Sequence, residues 1–99
     1  MVVGTLRCDL LLGDVHSLKG KRAVVRPIIA ELRRRYDVAA GETAHHDLHR
    51  RAELSVAMVS SAHGHARQVL ESCERLLAGR PEVELISARI RVLDDDDLG

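Results

Sequence analysis

The hydrophobic residues of this chain change their spacing along its length, and the order of those changes limits what it can fold into. Leu6, Cys8, Leu10 and Leu12 alternate with Thr5, Arg7, Asp9 and Leu11, the two-residue period of a strand with one buried face, over residues 2 to 12. Gly13 and Asp14 break that pattern and Ser17 is placed to cap a helix. Val24, Val25, Ile28, Ile29 and Leu32 then share one broad helical stripe, which predicts a helix over residues 18 to 35. Pro27 lies inside it, and an interior proline removes a backbone hydrogen bond and crowds the preceding turn, so a bend or a late helix start is expected.

Residues 37 to 44 read as a short strand with Val38, Ala40 and Ala44 in one phase. Over residues 51 to 60, Ala52, Leu54, Val56 and Met58 alternate with Arg51, Glu53, Ser55 and Ala57, a strand covered on one face. Ser60 or Ser61 can cap a second helix, whose apolar stripe is Ala62, Ala66, Val69, Cys73 and Leu76 and which Gly79 and Pro81 stop. In residues 82 to 93, Val83 and Leu85 hold one phase while Ile86, Ala88, Ile90 and Val92 hold the other, the signature of a bulge.

The order β-α-β-β-α-β predicts an α+β ferredoxin-like sandwich, a four-stranded antiparallel sheet with two helices on one face. The other face is left to water or a partner. At 99 residues with 45% hydrophobic side chains, the chain has material for one core, taken as residues 1 to 93, with 94 to 99 as an acidic, disordered end. Tyr36 is the sole aromatic, so that core is aliphatic. Cys8 and Cys73 suit neither a disulfide framework nor a zinc site and are read as buried apolar residues of a cytoplasmic protein. No apolar run approaches the length that spans a bilayer, and no membrane partner is expected.

The formal charge is zero, but Asp94, Asp95, Asp96 and Asp97 hide a basic body. Between residues 16 and 35, Lys19, Lys21, Arg22, Arg26, Arg33, Arg34 and Arg35 face only Glu31. Lys19, Arg22, Arg26 and Arg33 fall on one side of the predicted helix, and arginine forks suit phosphate oxygens. This predicts a phosphate-binding ridge of Lys19, Lys21, Arg22, Arg26 and Arg33, extended by Arg50 and Arg51, against the plainer reading of a solvated helix face. The terminal aspartates either fold back on that ridge or stay in water.

His45, His46 and His49 with Asp47 raise a metal-dependent hydrolase, but the spacing is not that of helical zinc sites. No nucleophile elbow or glycine-rich phosphate loop occurs, so a noncatalytic protein without cofactor is expected.

Leu18, Lys19, Gly20, Lys21 and Arg22 before a Val-rich helix resemble the opening of the YlxP-like family of small bacterial proteins. Arg35, Tyr36, Asp37 and Val38 resemble its exit from that helix, Glu42 its acidic residue in the second strand, and Asp47, Leu48, Arg51 and Ala52 a further segment. The resemblance spans about residues 3 to 92; Pro27 and His49 depart from it. It implies a ferredoxin-like domain and, through the family's association with translation factors, an RNA-binding or ribosome-associated role. With no Phe or Trp to stack bases, structured RNA or a ribosomal surface is the expected partner. The alternative is a protein-interaction or small-ligand module, dimeric or anion-binding, with Arg7, Arg89 and Arg91 beside Glu53 and Ser55 on the open sheet face.

Overall fold

A computed structural model describes residues 1–99. The elements are β1 (Val2–Leu12), α1 (Leu18–Tyr36), β2 (Ala39–Ala44), β3 (Arg51–Ser60), α2 (His63–Ala78), β4 (Val83–Leu93) and a single turn, α3 (Asp95–Leu98). The strands stand in the order β2-β3-β1-β4 and all neighbours are antiparallel, the ferredoxin-like sheet predicted from the periodicities.

Strand β1 is central because its even-numbered side chains are apolar from Leu6 to Leu12, and Leu6, Leu10 and Leu12 are fully buried under the helices. Ile28 and Leu32 of α1, Leu54 of β3, and Leu70 and Leu77 of α2 complete the aliphatic centre. Each such side chain contributes about 1.5–3 kcal/mol on burial. Gly4 lets α2 approach β1: a Cβ there would lie 2.8 Å from Leu70 Cδ1 and 3.4 Å from Ala66 Cβ.

Ser17 Oγ accepts from the Gly20 N–H at 2.9 Å to start α1, and Asp37, left-handed at φ 53°, ends it by donating its N–H to Arg33 O. The late helix start weighed for Pro27 does not occur: α1 is helical from Leu18 to Tyr36 with the proline inside it. Pro27 sits on the exposed side, where water can take the carbonyl left without a partner. The buried face of α2 is Ala66, Leu70, Cys73 and Leu77, turned from the expected stripe so that Val69 and Leu76 flank it and Ala62 is an exposed N-cap.

The predicted bulge in β4 is present: Asp9 pairs with Ser87 but Leu10 with Leu85, which leaves Ile86 unopposed and half exposed. A second bulge, at Thr43 in β2, ends the phase expected for Val38, Ala40 and Ala44. Glu42 opposes Leu54 on the helix side, and Ala44 opposes Glu53. The acidic end forms α3 rather than an unstructured tail. Asp97 N–H donates to Asp94 Oδ1 and Asp94 N–H to Asp97 Oδ2, each at 3.0 Å, and Asp95 lies 3.0 Å from the Met1 ammonium, away from α1.

Candidate polyanion-binding surfaces

The predicted basic set does not stay together. Lys19, Arg22 and Arg26 stand together, exposed, around a shallow depression floored by Ala23 and Pro27, and none of them has an acidic partner within 4.0 Å. Lys19 and Arg22 lie in the opening turns of α1, where the helix dipole disfavours cations and where the chain places no acid in the first turn. The free N–H groups at that end add to the attraction for an anion.

Lys21 does not belong to this surface. It is 2% exposed, its Nζ stands 2.6 Å from Glu42 Oε2 and it donates to the His45 carbonyl at 2.7 Å. It shares its side of α1 with Val25, Ile28 and Leu32, at steps of four, three and four residues. That spacing was the available signal that Lys21 faces inward.

Arg33 lies along the same flank as Arg22 and Arg26, but its Nε and Nη2 donate to Ala40 O at 3.0 and 2.6 Å. It therefore ties α1 to β2 and covers a carbonyl of that edge strand. Arg50 donates from Nε to Leu12 O at 3.0 Å, at the opposite end of the β2–β3 connection. Arg51 sits on the uncovered sheet face, 2.7 Å from Asp9 Oδ2. The ridge thus contracts to Lys19, Arg22 and Arg26.

The histidines of the β2–β3 connection diverge. His45, left-handed at φ 64°, brings Nε2 to 3.8 Å from Asp9 Oδ1, while His46 Nε2 is 3.2 Å from the Glu42 carbonyl oxygen. No three His, Cys, Asp or Glu side chains gather into a group that could hold a metal ion. Asp47 and His49 border a shallow surface hollow with Leu48, Arg50 and Arg51. Cys8 and Cys73 are fully buried, and loss of solvation pushes their thiols up to about 12 and about 11; the charge of Glu74 adds to the shift at Cys8.

A second cationic surface occupies the uncovered sheet face. Arg7 and Arg89 oppose each other across β1 and β4, and Arg91 opposes Thr5 in the next row. They border a concavity of about 470 Å³ whose other lining includes Ala39, Gly41, Ser55 and Ala57. Arg7 Nε lies 3.3 Å from Glu53 Oε1, whereas Arg89 and Arg91 have no acid within 4.0 Å. The small residues of β2 gave no sequence signal for this hollow, because its floor depends on Ala39 and Gly41 lying beside Ala57 and Ser55.

Sheet order, helix placement and these two surfaces define a small α+β domain of ferredoxin-like architecture, with cations gathered on one helix and on the uncovered sheet face. The chain belongs to the DUF503 family, proteins of unknown function, whose family model matches residues 3–90. It is 28% identical over 83 residues to the Uncharacterized protein YlxP of Bacillus subtilis (strain 168), across 84% of this chain and 90% of that protein. The family read from Leu18, Lys19, Lys21, Arg22, Glu42 and Asp47 is therefore confirmed. Two of those residues, Lys21 and Glu42, meet as an internal ion pair.

Proposed function

We propose that this protein is a noncatalytic RNA-binding or ribosome-associated factor that grips phosphate groups with Lys19, Arg22 and Arg26. The observation that carries this reading is their clustering, unpaired, on one exposed face of α1, with Lys19 and Arg22 in the opening turns where cations are least favoured. Three exposed cations in about 10 Å of helix match successive backbone phosphates better than one small anion.

The noncatalytic part of the reading rests on the thiols, which are buried and protonated, and on the divergence of the hairpin histidines. Free, buried cysteines also fit a reducing, cytoplasmic setting. No helix is long and apolar enough to cross a membrane.

The test is titration of a fluorescent structured RNA hairpin with the purified chain and with Arg22→Glu/Arg26→Glu. The reading expects binding by the parent and its loss in the doubly reversed variant. Equal binding by the two would refute the ridge.

A further inference from the structure

Like charges placed directly opposite each other in an antiparallel pair destabilise it, yet Arg7 faces Arg89 across β1 and β4. Arg91 adds a third guanidinium on the same face, about 7 Å along the strand from Arg89. Within the sheet, only Glu53 answers them, through Arg7 at 3.3 Å. Asp9, in the adjoining row, is already held by Arg51 at 2.7 Å. Two positive charges are thus left unanswered at the border of one concavity.

The hollow itself is shaped by omission. Ala39, Gly41 and Ala57 carry no side chain beyond Cβ, and Thr5 and Ser55 add short hydroxyl groups. The resulting space of about 470 Å³ is in the size range of small-molecule sites. One side is therefore flat and largely apolar, and the other bears planar cationic forks suited to phosphate oxygens.

We propose that this face binds a small phosphomonoester with an apolar body, which lies over Ala39, Gly41 and Ala57 while its phosphoryl group sits between Arg89 and Arg91. A phosphomonoester carries about −1.5 to −2 charges at neutral pH, which answers the surplus of two. A carboxylate supplies only one, and inorganic phosphate has nothing to cover the apolar floor. This site is on the opposite side of the sheet from the helices and does not depend on the ridge of α1.

The test is an amide chemical-shift titration of the full chain with phenyl phosphate, inorganic phosphate and benzoate. Phenyl phosphate is expected to bind roughly tenfold more tightly than either of the others, with shifts centred on Thr5, Ala57 and Arg91. Arg89→Ala/Arg91→Ala should weaken it by roughly tenfold or more while the melting temperature holds or rises, since like-charge opposition is relieved. Ala57→Leu should weaken phenyl phosphate and spare inorganic phosphate. Arg22→Glu/Arg26→Glu should leave the titration unchanged. Equal affinity for the three probes, undiminished binding in the folded Arg89→Ala/Arg91→Ala variant, or shifts confined to α1 would each overturn the site. So would a parent chain that sediments as a dimer, dissociates on Arg89→Ala/Arg91→Ala and shows no phenyl phosphate binding; the face would then belong to a second copy.

Discussion

Lys21 and Glu42 bring α1 and β2 together through an ion pair at 2.6 Å, and the same ammonium fixes the His45 carbonyl at the start of the β2–β3 connection. Taking two charges out of water is costly, so the pair adds little to stability beyond what apolar residues would give, but losing one partner is expensive. Its effect is positional: it sets where the hairpin leaves the sheet.

The two partners are not equivalent, because the Lys21 side chain is 3% exposed and that of Glu42 is 21% exposed. Glu42→Gln leaves the enclosed ammonium without a counter-charge, held by neutral acceptors such as the His45 carbonyl, and is expected to cost about 3 kcal/mol. Lys21→Met leaves a carboxylate that can turn toward water, for about 2 kcal/mol. Lys21→Met/Glu42→Leu should cost much less than the sum. Urea denaturation of the three variants measures this, and additive losses would show that the two residues act separately.

Arginines of α1 should divide by role. Arg33→Ala removes the donors to Ala40 O and is expected to cost about 1 kcal/mol. Arg22→Ala and Arg26→Ala should stay within about 0.5 kcal/mol of the parent, because they leave no partner unsatisfied. Thermal melts of the three single variants provide the comparison.

Close packing of α2 on β1 makes Gly4 intolerant of a side chain. Gly4→Val drives its Cβ against Leu70 and is expected to cost about 1–3 kcal/mol. In chemical denaturation, Gly4→Val in a Leu70→Ala background should lose less than in the parent, since the opposing methyl group is gone.

Both thiols keep their protons in the folded chain above the ordinary value of 9.0. Above about pH 9 the unfolded chain releases them first, so stability should fall as pH rises from there toward the folded values of about 11 and about 12. Below pH 9 neither thiol contributes any pH dependence. A thiol-reactive dye at pH 8 should label Cys8 and Cys73 only after denaturation; rapid labelling of the native chain would contradict their burial.

Much of the fold could be read from the sequence because alternation in β1 and β3 and the helical stripe in α1 report burial directly, whereas the stripe in α2 located the helix but not the exact face it buries. The phase change between Leu85 and Ile86 even located a bulge. Pairings between distant segments could not be read. Glu42 sits in a run of small residues, and nothing local shows that a bulge at Thr43 leaves it on the helix side beneath Lys21. Charge alone placed Lys21 on the ridge, although its spacing to Val25, Ile28 and Leu32 argues for the interior. Likewise Arg33, Arg50 and Arg51 read as free cations until the acceptors at Ala40, Leu12 and Asp9 are brought to them. The one-turn helix at the acidic end depends on reciprocal bonds between Asp94 and Asp97, which a run of four aspartates does not announce.

The salt dependence of RNA-hairpin affinity is the most direct measurement of whether the α1 ridge grips phosphate. For Lys19, Arg22 and Arg26 acting together, the logarithm of affinity should fall against the logarithm of salt with a slope of about −2 to −3. Arg22→Ala should reduce that slope by about 0.7–0.9, and Lys21→Met, at salt concentrations where it stays folded, should leave it unchanged. A slope near zero, or one that Arg22→Ala does not alter, would contradict a phosphate grip by this ridge.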